Sequence, residues 1–175
     1  LEDFLGSLEG DFHWDALCLQ EFGSPTGVVP ASGAEDVGEV AGEFGPCKVK
    51  PRETEAGHLI VAPLGQGKTS AVILHQRHGH CYKRSSASAS GRFVNVLLSW
   101  DLCKLVLMSA HLPTSCSELC YKAALDSGMQ AYHFLKPPAN AVKVMGCDAN
   151  VEAAVVGSAS YRDWSFESCP VRVER

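Results

Sequence analysis

The sequence predicts a mixed α/β fold in which sheets pack against each other and helices cover them outside. Three observations predict it. β-like apolar segments recur between Ser70 and Ala110, helical spacing flanks that run on both sides, and one more apolar segment, Val142 to Met145, follows the second helix.

The elements can be justified in order. Leu1, Phe4, Leu5 and Leu8 recur at i, i+3, i+4 and i+7, the stripe of an amphipathic helix. No capping residue precedes the stripe, so the chain is expected to start within a domain. Ala16 to Glu21 is a short apolar run ending in a carboxylate and reads as a buried strand. Residues 23–67 are rich in Gly and carry Pro25, Pro30, Pro46, Pro51 and Pro63. They read as a long loop with a short strand over His58 to Ala62. Ser70 to His75 is the next strand. Phe93 to Ser99 and Leu102 to Ala110 flank Trp100-Asp101 as two arms of a hairpin. The second arm is apolar on both faces, as a strand inside a sandwich is, and it ends at His111 and Pro113.

Ser115 and Glu118 then form a capping-box pattern. Cys116, Leu119, Cys120, Ala123, Ala124, Ala131 and Phe134 follow at helical spacing. Gly128 weakens that helix by about 1 kcal/mol relative to Ala, and Pro137-Pro138 end it. Val142 to Met145 is a strand that leads to Asp148 and Asn150. Val151 to Val156 is ambiguous, and Tyr161 to Arg175 reads as loop with an edge strand.

Composition narrows the function. The chain has 175 residues, with 46% hydrophobic and 20% charged residues, which suits one globular domain spanning 1–175. No apolar run approaches the roughly 20 residues that span a bilayer, and Glu2 and Asp3 stand where a signal peptide would be basic. Eight cysteines occur without a CxxC pair, so a reduced, intracellular chain is expected, cytoplasmic or nuclear. A net charge of -5 argues against a protein that simply coats nucleic acid. Yet no acidic residue lies between Glu55 and Asp101, a stretch holding Lys68, Arg77, Lys83, Arg84 and Arg92. Such a strip suits a phosphate-rich ligand or is simply a solvated face.

Three segments share one design, an apolar strand ending in a residue able to bind metal or move a proton. They are Leu17-Cys18-Leu19-Gln20-Glu21, Val106-Leu107-Met108-Ser109-Ala110-His111-Leu112-Pro113 and Val144-Met145-Gly146-Cys147-Asp148-Ala149-Asn150. Desolvating a charge is costly, so carboxylates at the ends of buried strands call for a reason, and adjacent strand ends can bring such groups together.

These segments resemble the motifs of the endonuclease/exonuclease/phosphatase superfamily, the DNase I-like fold that includes retrotransposon-type endonuclease domains. Leu19-Gln20-Glu21, His111-Leu112-Pro113 and Gly146-Cys147-Asp148-Ala149-Asn150 match its LQE, HLP and GDxN motifs in order, with Cys147 inserted in the last. The resemblance implies a four-layer α-β-β-α sandwich and divalent-metal-dependent phosphodiester hydrolysis, on nucleic acid or another phosphodiester. It implies that Glu21 binds Mg²⁺ (or Mn²⁺) as a hard oxygen ligand. His111 would lie beside the scissile phosphate as hydrogen-bond donor or acid. Asp148 would orient or activate the attacking water, and Asn150 would hold a phosphate oxygen or the nucleophile. Metal and polar donors offset the charge by which a phosphodiester resists attack.

Two family elements have no counterpart in this sequence, the Asn of the first strand and the Ser-Asp-His end of the last. The chain is therefore expected to be a truncated, incomplete domain with little or no hydrolase activity by itself. The alternative is a non-catalytic remnant or binding module of the same fold. Two rival motifs remain. Ala62-Pro63-Leu64-Gly65-Gln66-Gly67-Lys68-Thr69 fits a relaxed phosphate-binding loop, which needs a helix after it. His75, His78, His80 and Cys81 have zinc-ligand chemistry, with Cys47 or His58 within reach as a further ligand.

Overall fold

The structure is a computed structural model that describes residues 1–11, 13–22, 45–63, 69–113 and 118–148. Its elements, in chain order, are α1 (Glu2–Asp11), β1 (Ala16–Phe22), β2 (Cys47–Lys48), β3 (Arg52–Glu53), β4 (Leu59–Val61), β5 (Thr69–Leu74), a 3-10 helix (Gln76–Cys81), β6 (Tyr82–Ala87), β7 (Phe93–Ser99), β8 (Lys104–His111), α2 (Glu118–Leu135) and β9 (Val142–Asp148). The sequence-predicted N-cap Ser115 and the segment from Ala149 onward lie outside the described residues.

The strands form two sheets, ordered β1-β5-β4-β3 and β2-β6-β7-β8-β9. All pairings are antiparallel except β8 with β9, which is parallel. That exception follows from the connection: α2 carries the chain back over the sheet between the two strands, as a parallel crossover requires.

Alternation along the strands builds three apolar layers. Val61, Val72 and Leu74 of the first sheet face Val94, Val96, Leu98 and Leu107 of the second. The opposite face of the first sheet, with Ile60, Ala71 and Ile73, packs on Leu5 of α1 and on Trp14. The opposite face of the second, with Leu97, Val106 and Met108, packs on Tyr132 and Leu135 of α2. The molecule is thus a four-layer α-β-β-α sandwich. Strands β5 and β7 lie inside the layers with nearly every residue buried, which is why their segments read as continuous apolar runs.

The structure departs from the sequence pattern in three places. Residues 47–53, within the stretch read as loop, hold strands β2 and β3, whereas β4 falls inside the short strand expected over His58 to Ala62. The segment bearing His78, His80 and Cys81, for which the sequence offered zinc-ligand chemistry and no element, is a 3-10 helix capped by His75, whose side chain accepts from the Arg77 N–H. Tyr82–Ala87 is a strand that no hydrophobic pattern marks, because its buried residues Ser85, Ser86 and Ala87 are small. Their polarity is met by hydrogen bonds: Ser86 Oγ donates to the Ala131 carbonyl of α2 at 2.7 Å, and Ser85 Oγ donates to the Val49 carbonyl.

Candidate functional site

Strand direction decides which residues meet. β1, β8 and β9 all end on one side of the sandwich, and β1 and β9 are the edge strands that lie across from each other. On β8, Leu105 and Leu107 face the inter-sheet core, whereas Val106 and Met108 face α2. Period two therefore puts Ser109 and His111 on the inter-sheet face. Parallel pairing sets Ser109 opposite Gly146 and His111 opposite Asp148, so Asp148 shares that face.

β1 closes over this pair from the other sheet. Ser109 Oγ donates to the Leu19 carbonyl at 2.8 Å, and Gln20 Nε2 donates to Ser109 Oγ at 3.3 Å and to the Gly146 carbonyl at 3.4 Å. The Cys18 thiol donates to the Met108 carbonyl at 3.4 Å. Contact is so close that a Cβ on Gly146 would stand 2.5 Å from Cys18 Cβ. Gly in the third motif is thus required by the packing of the two edge strands.

Glu21 lies one residue beyond Gln20 and is exposed. Regular alternation would assign it to the α1 face, opposite to Gln20. Two features break the alternation there: a register shift between Leu19 and Phe22, and a left-handed backbone at Glu21 with φ 54°. Bulges of this kind re-aim a side chain at the end of a strand. No sequence pattern signals the bulge.

The turn before β7 adds a cation that the motifs do not mark. The His111 N–H donates to the Arg92 carbonyl at 2.9 Å, and Arg92 Nη1 donates to the His111 carbonyl at 3.3 Å. Ser70 Oγ of β5 donates to the same Arg92 carbonyl at 2.7 Å. Both sheets thereby fix the backbone that carries Arg92. Next to Asp148, desolvation and then the Asp148 carboxylate push the Cys147 thiol up to about 11. Cys147 is therefore a thiol at neutral pH.

Of the four sequence-predicted residues, His111 and Asp148 are in-register neighbours, and Glu21 lies one residue from the end of β1, the strand that contacts Ser109 and Gly146 beside them. Asn150 lies outside the described residues. The donor chemistry suits a hard cation: Glu21 and Asp148 offer carboxylate oxygens, and both are exposed.

The rival motifs fare differently. Thr69 opens strand β5, not a helix, so the helix N-terminus that a phosphate-binding loop requires is absent there and the nucleotide reading falls; residues 64–68 lie outside the described residues. His75, His78, His80 and Cys81 do not converge. His78 Nε2 meets Asp15 at 2.7 Å, and His80 Nε2 meets Cys81 Sγ at 3.1 Å. His75 instead joins His58 and Glu9. That trio lies by the start of β1 and the end of β5, at the other end of the sandwich from Glu21.

No protein-family model and no curated protein matches the chain. Among solved structures it is similar to the endonuclease domain of TRAS1, a telomere-specific non-LTR retrotransposon, at 12% sequence identity and a TM-score of 0.42. The match covers 63% of this chain and 48% of that one, so this chain spans about half the length of its structural neighbour.

Proposed function

We propose that the β1, β8 and β9 ends form a divalent-metal-dependent phosphodiester hydrolase site of the nuclease type. The observation that carries the reading is the register of His111 with Asp148 on the face that β1 covers. Glu21 holds Mg²⁺ (or Mn²⁺) as a carboxylate ligand, and the bound cation supplies charge neutralisation at the phosphate. His111 donates a hydrogen bond to the phosphate or a proton to the leaving oxygen. Asp148 accepts a proton from the attacking water and orients it. Asn150 holds a phosphate oxygen. Arg92, tied to the His111 backbone, adds a fixed positive charge for an anionic substrate. Nucleic acid is the proposed substrate class, since the stretch between Glu55 and Asp101 carries basic but no acidic residues. The free thiols, including buried Cys81, suit a reducing, intracellular compartment.

The test measures Mn²⁺ affinity and plasmid nicking by the 175-residue chain and by Glu21→Gln, His111→Ala and Asp148→Asn. Glu21→Gln should weaken Mn²⁺ binding at least about tenfold. Nicking by the parent chain is expected to be slow, and to fall to background in His111→Ala and Asp148→Asn. Mn²⁺ binding that is indifferent to Glu21→Gln would refute the site.

A further inference from the structure

The end of the sandwich away from this site holds a second cluster of chemistry. Glu9 Oε1 of α1 lies 3.2 Å from His58 Nε2 and 3.2 Å from His75 Nε2. The three atoms lie within 4.8 Å of one another, and two imidazoles with a carboxylate are a zinc-type donor set. The other ring nitrogens decide against a metal. His58 Nδ1 accepts from the Gln76 N–H at 3.1 Å, and His75 Nδ1 accepts from the Arg77 N–H at 3.2 Å. A metal on Nε2 needs the ring proton on Nδ1, donated to a carbonyl or carboxylate. Here each Nδ1 faces a donor. A neutral imidazole has one N–H, so both rings carry it on Nε2 and both give it to the one Glu9 oxygen.

We infer that the Glu9 carboxylate and the neutral rings of His58 and His75 form a metal-free clasp that docks α1 on the sheet and releases it in mild acid. A second proton on either ring falls on Nδ1 and displaces a backbone N–H. At His75 this removes the cap of the 3-10 helix. α1 has little else to hold it. It is ten residues long, too short to persist alone, and Leu5 is its one buried residue among those whose side chains are described. Among the described residues, Leu8 packs partly buried beside it and the Glu55 N–H donates to Glu2 Oε1 at 3.3 Å.

The surroundings favour the neutral His75 ring. Trp14 contacts both rings, tilted against His58 with centroids 5.0 Å apart and edge-on to His75 at 4.9 Å. Arg77 and His78 approach from the 3-10 helix, and Asp15, before β1, accepts from both at 2.7 Å. Burial first, then the positive charge of Arg77 and that of His58 when protonated, hold His75 below its ordinary value, against the opposing pull of Glu9. The sign follows from linkage: with the folded value lowered, the unfolded chain takes up the proton first as pH falls. The clasp's stabilisation is therefore full above about pH 6.5 and is lost as pH drops through the folded value beneath it.

The experiment follows amide hydrogen exchange of α1 and of β7 in the 175-residue chain from about pH 7.5 to about pH 5, corrected for intrinsic exchange. α1 should lose protection at least about tenfold with a midpoint below pH 6.5, while β7 stays protected. Pairing His58→Gln with His75→Asn keeps side-chain hydrogen bonding without titration and should abolish the acid step. Glu9→Gln keeps the shared acceptor but removes the charge that favours protonation, and should move the step to lower pH. Protection of α1 that is independent of pH, or an acid step that survives the double substitution, overturns the clasp. So does Zn²⁺ binding one to one that is lost in Glu9→Gln.

Discussion

His111 and Asp148 stand opposite each other on the parallel strands β8 and β9, and the Leu112 N–H donates to the Asp148 carbonyl at 2.9 Å. The backbone of Asp148 is thereby held by the ladder, while its side chain stays exposed. The two roles can be separated by substitution.

Asp148→Asn preserves the ladder and nearly the same shape. Its unfolding free energy in urea should stay within about 1 kcal/mol of the parent, as for a near-isosteric change at an exposed position. Any Mg²⁺-dependent phosphodiester turnover should fall by about a hundredfold or more, the loss typical of a removed acid–base group. Equal losses of stability and turnover would assign Asp148 a structural role only.

Gly146→Ala should be costly for a reason unrelated to helix or strand propensity. The new Cβ would meet Cys18 Cβ at 2.5 Å, in the seam between two edge strands. Overpacking of this kind costs about 1–3 kcal/mol. Gly6→Ala is the control: it lies on exposed α1 with nothing within 4 Å of the added methyl, and should stabilise by up to about 1 kcal/mol through helix propensity. Denaturant melts of the two variants should therefore shift in opposite directions.

Gly128 interrupts the helical pattern of α2, and the structure supplies the reason. A Cβ there would stand 2.6 Å from the Phe93 ring of β7. Gly128→Ala should thus destabilise by about 1–3 kcal/mol although Ala is the better helix former. Combining it with Phe93→Leu should recover part of that loss, because the smaller side chain vacates the contact. A double-mutant cycle with no coupling between the two positions would refute the contact.

Particular residues show what the sequence could reveal of this fold and site. β5, β7 and β8 are legible because both their faces are buried and apolar. α1 and α2 follow from helical spacing, though Leu1 and Phe4 of the first stripe turn out exposed. β6 is hidden because Ser85 and Ser86 are buried through hydrogen bonds rather than apolar surface. At the candidate site, the strand ends bearing Glu21, His111 and Asp148 were legible as motifs. The bulge at Glu21 and the approach of Arg92 depend on pairing between distant segments. The Glu9, His58 and His75 cluster is of the same kind. His58 was recognisable as a further ligand-type residue near His75, but nothing in the chain marks Glu9 as their partner.

Ser109→Ala tests whether the seam between the sheets supports the site it borders. The hydroxyl is fully buried, donates to the Leu19 carbonyl at 2.8 Å and accepts from Gln20 Nε2 at 3.3 Å. Removing it takes one partner from each of two groups in the seam, a loss of about 1–3 kcal/mol. The damage falls on β1 just before Glu21, where the strand already leaves regular pairing. Ser109→Ala should therefore weaken Mn²⁺ binding although Ser109 is not a proposed ligand. Ser86→Ala, which breaks a buried bond to α2 instead, should cost comparable stability and leave Mn²⁺ affinity unchanged. Calorimetric Mn²⁺ titration of the two variants at matched folded fractions separates the effects. Equal affinities would mean that the Leu19 and Gln20 contacts do not position Glu21.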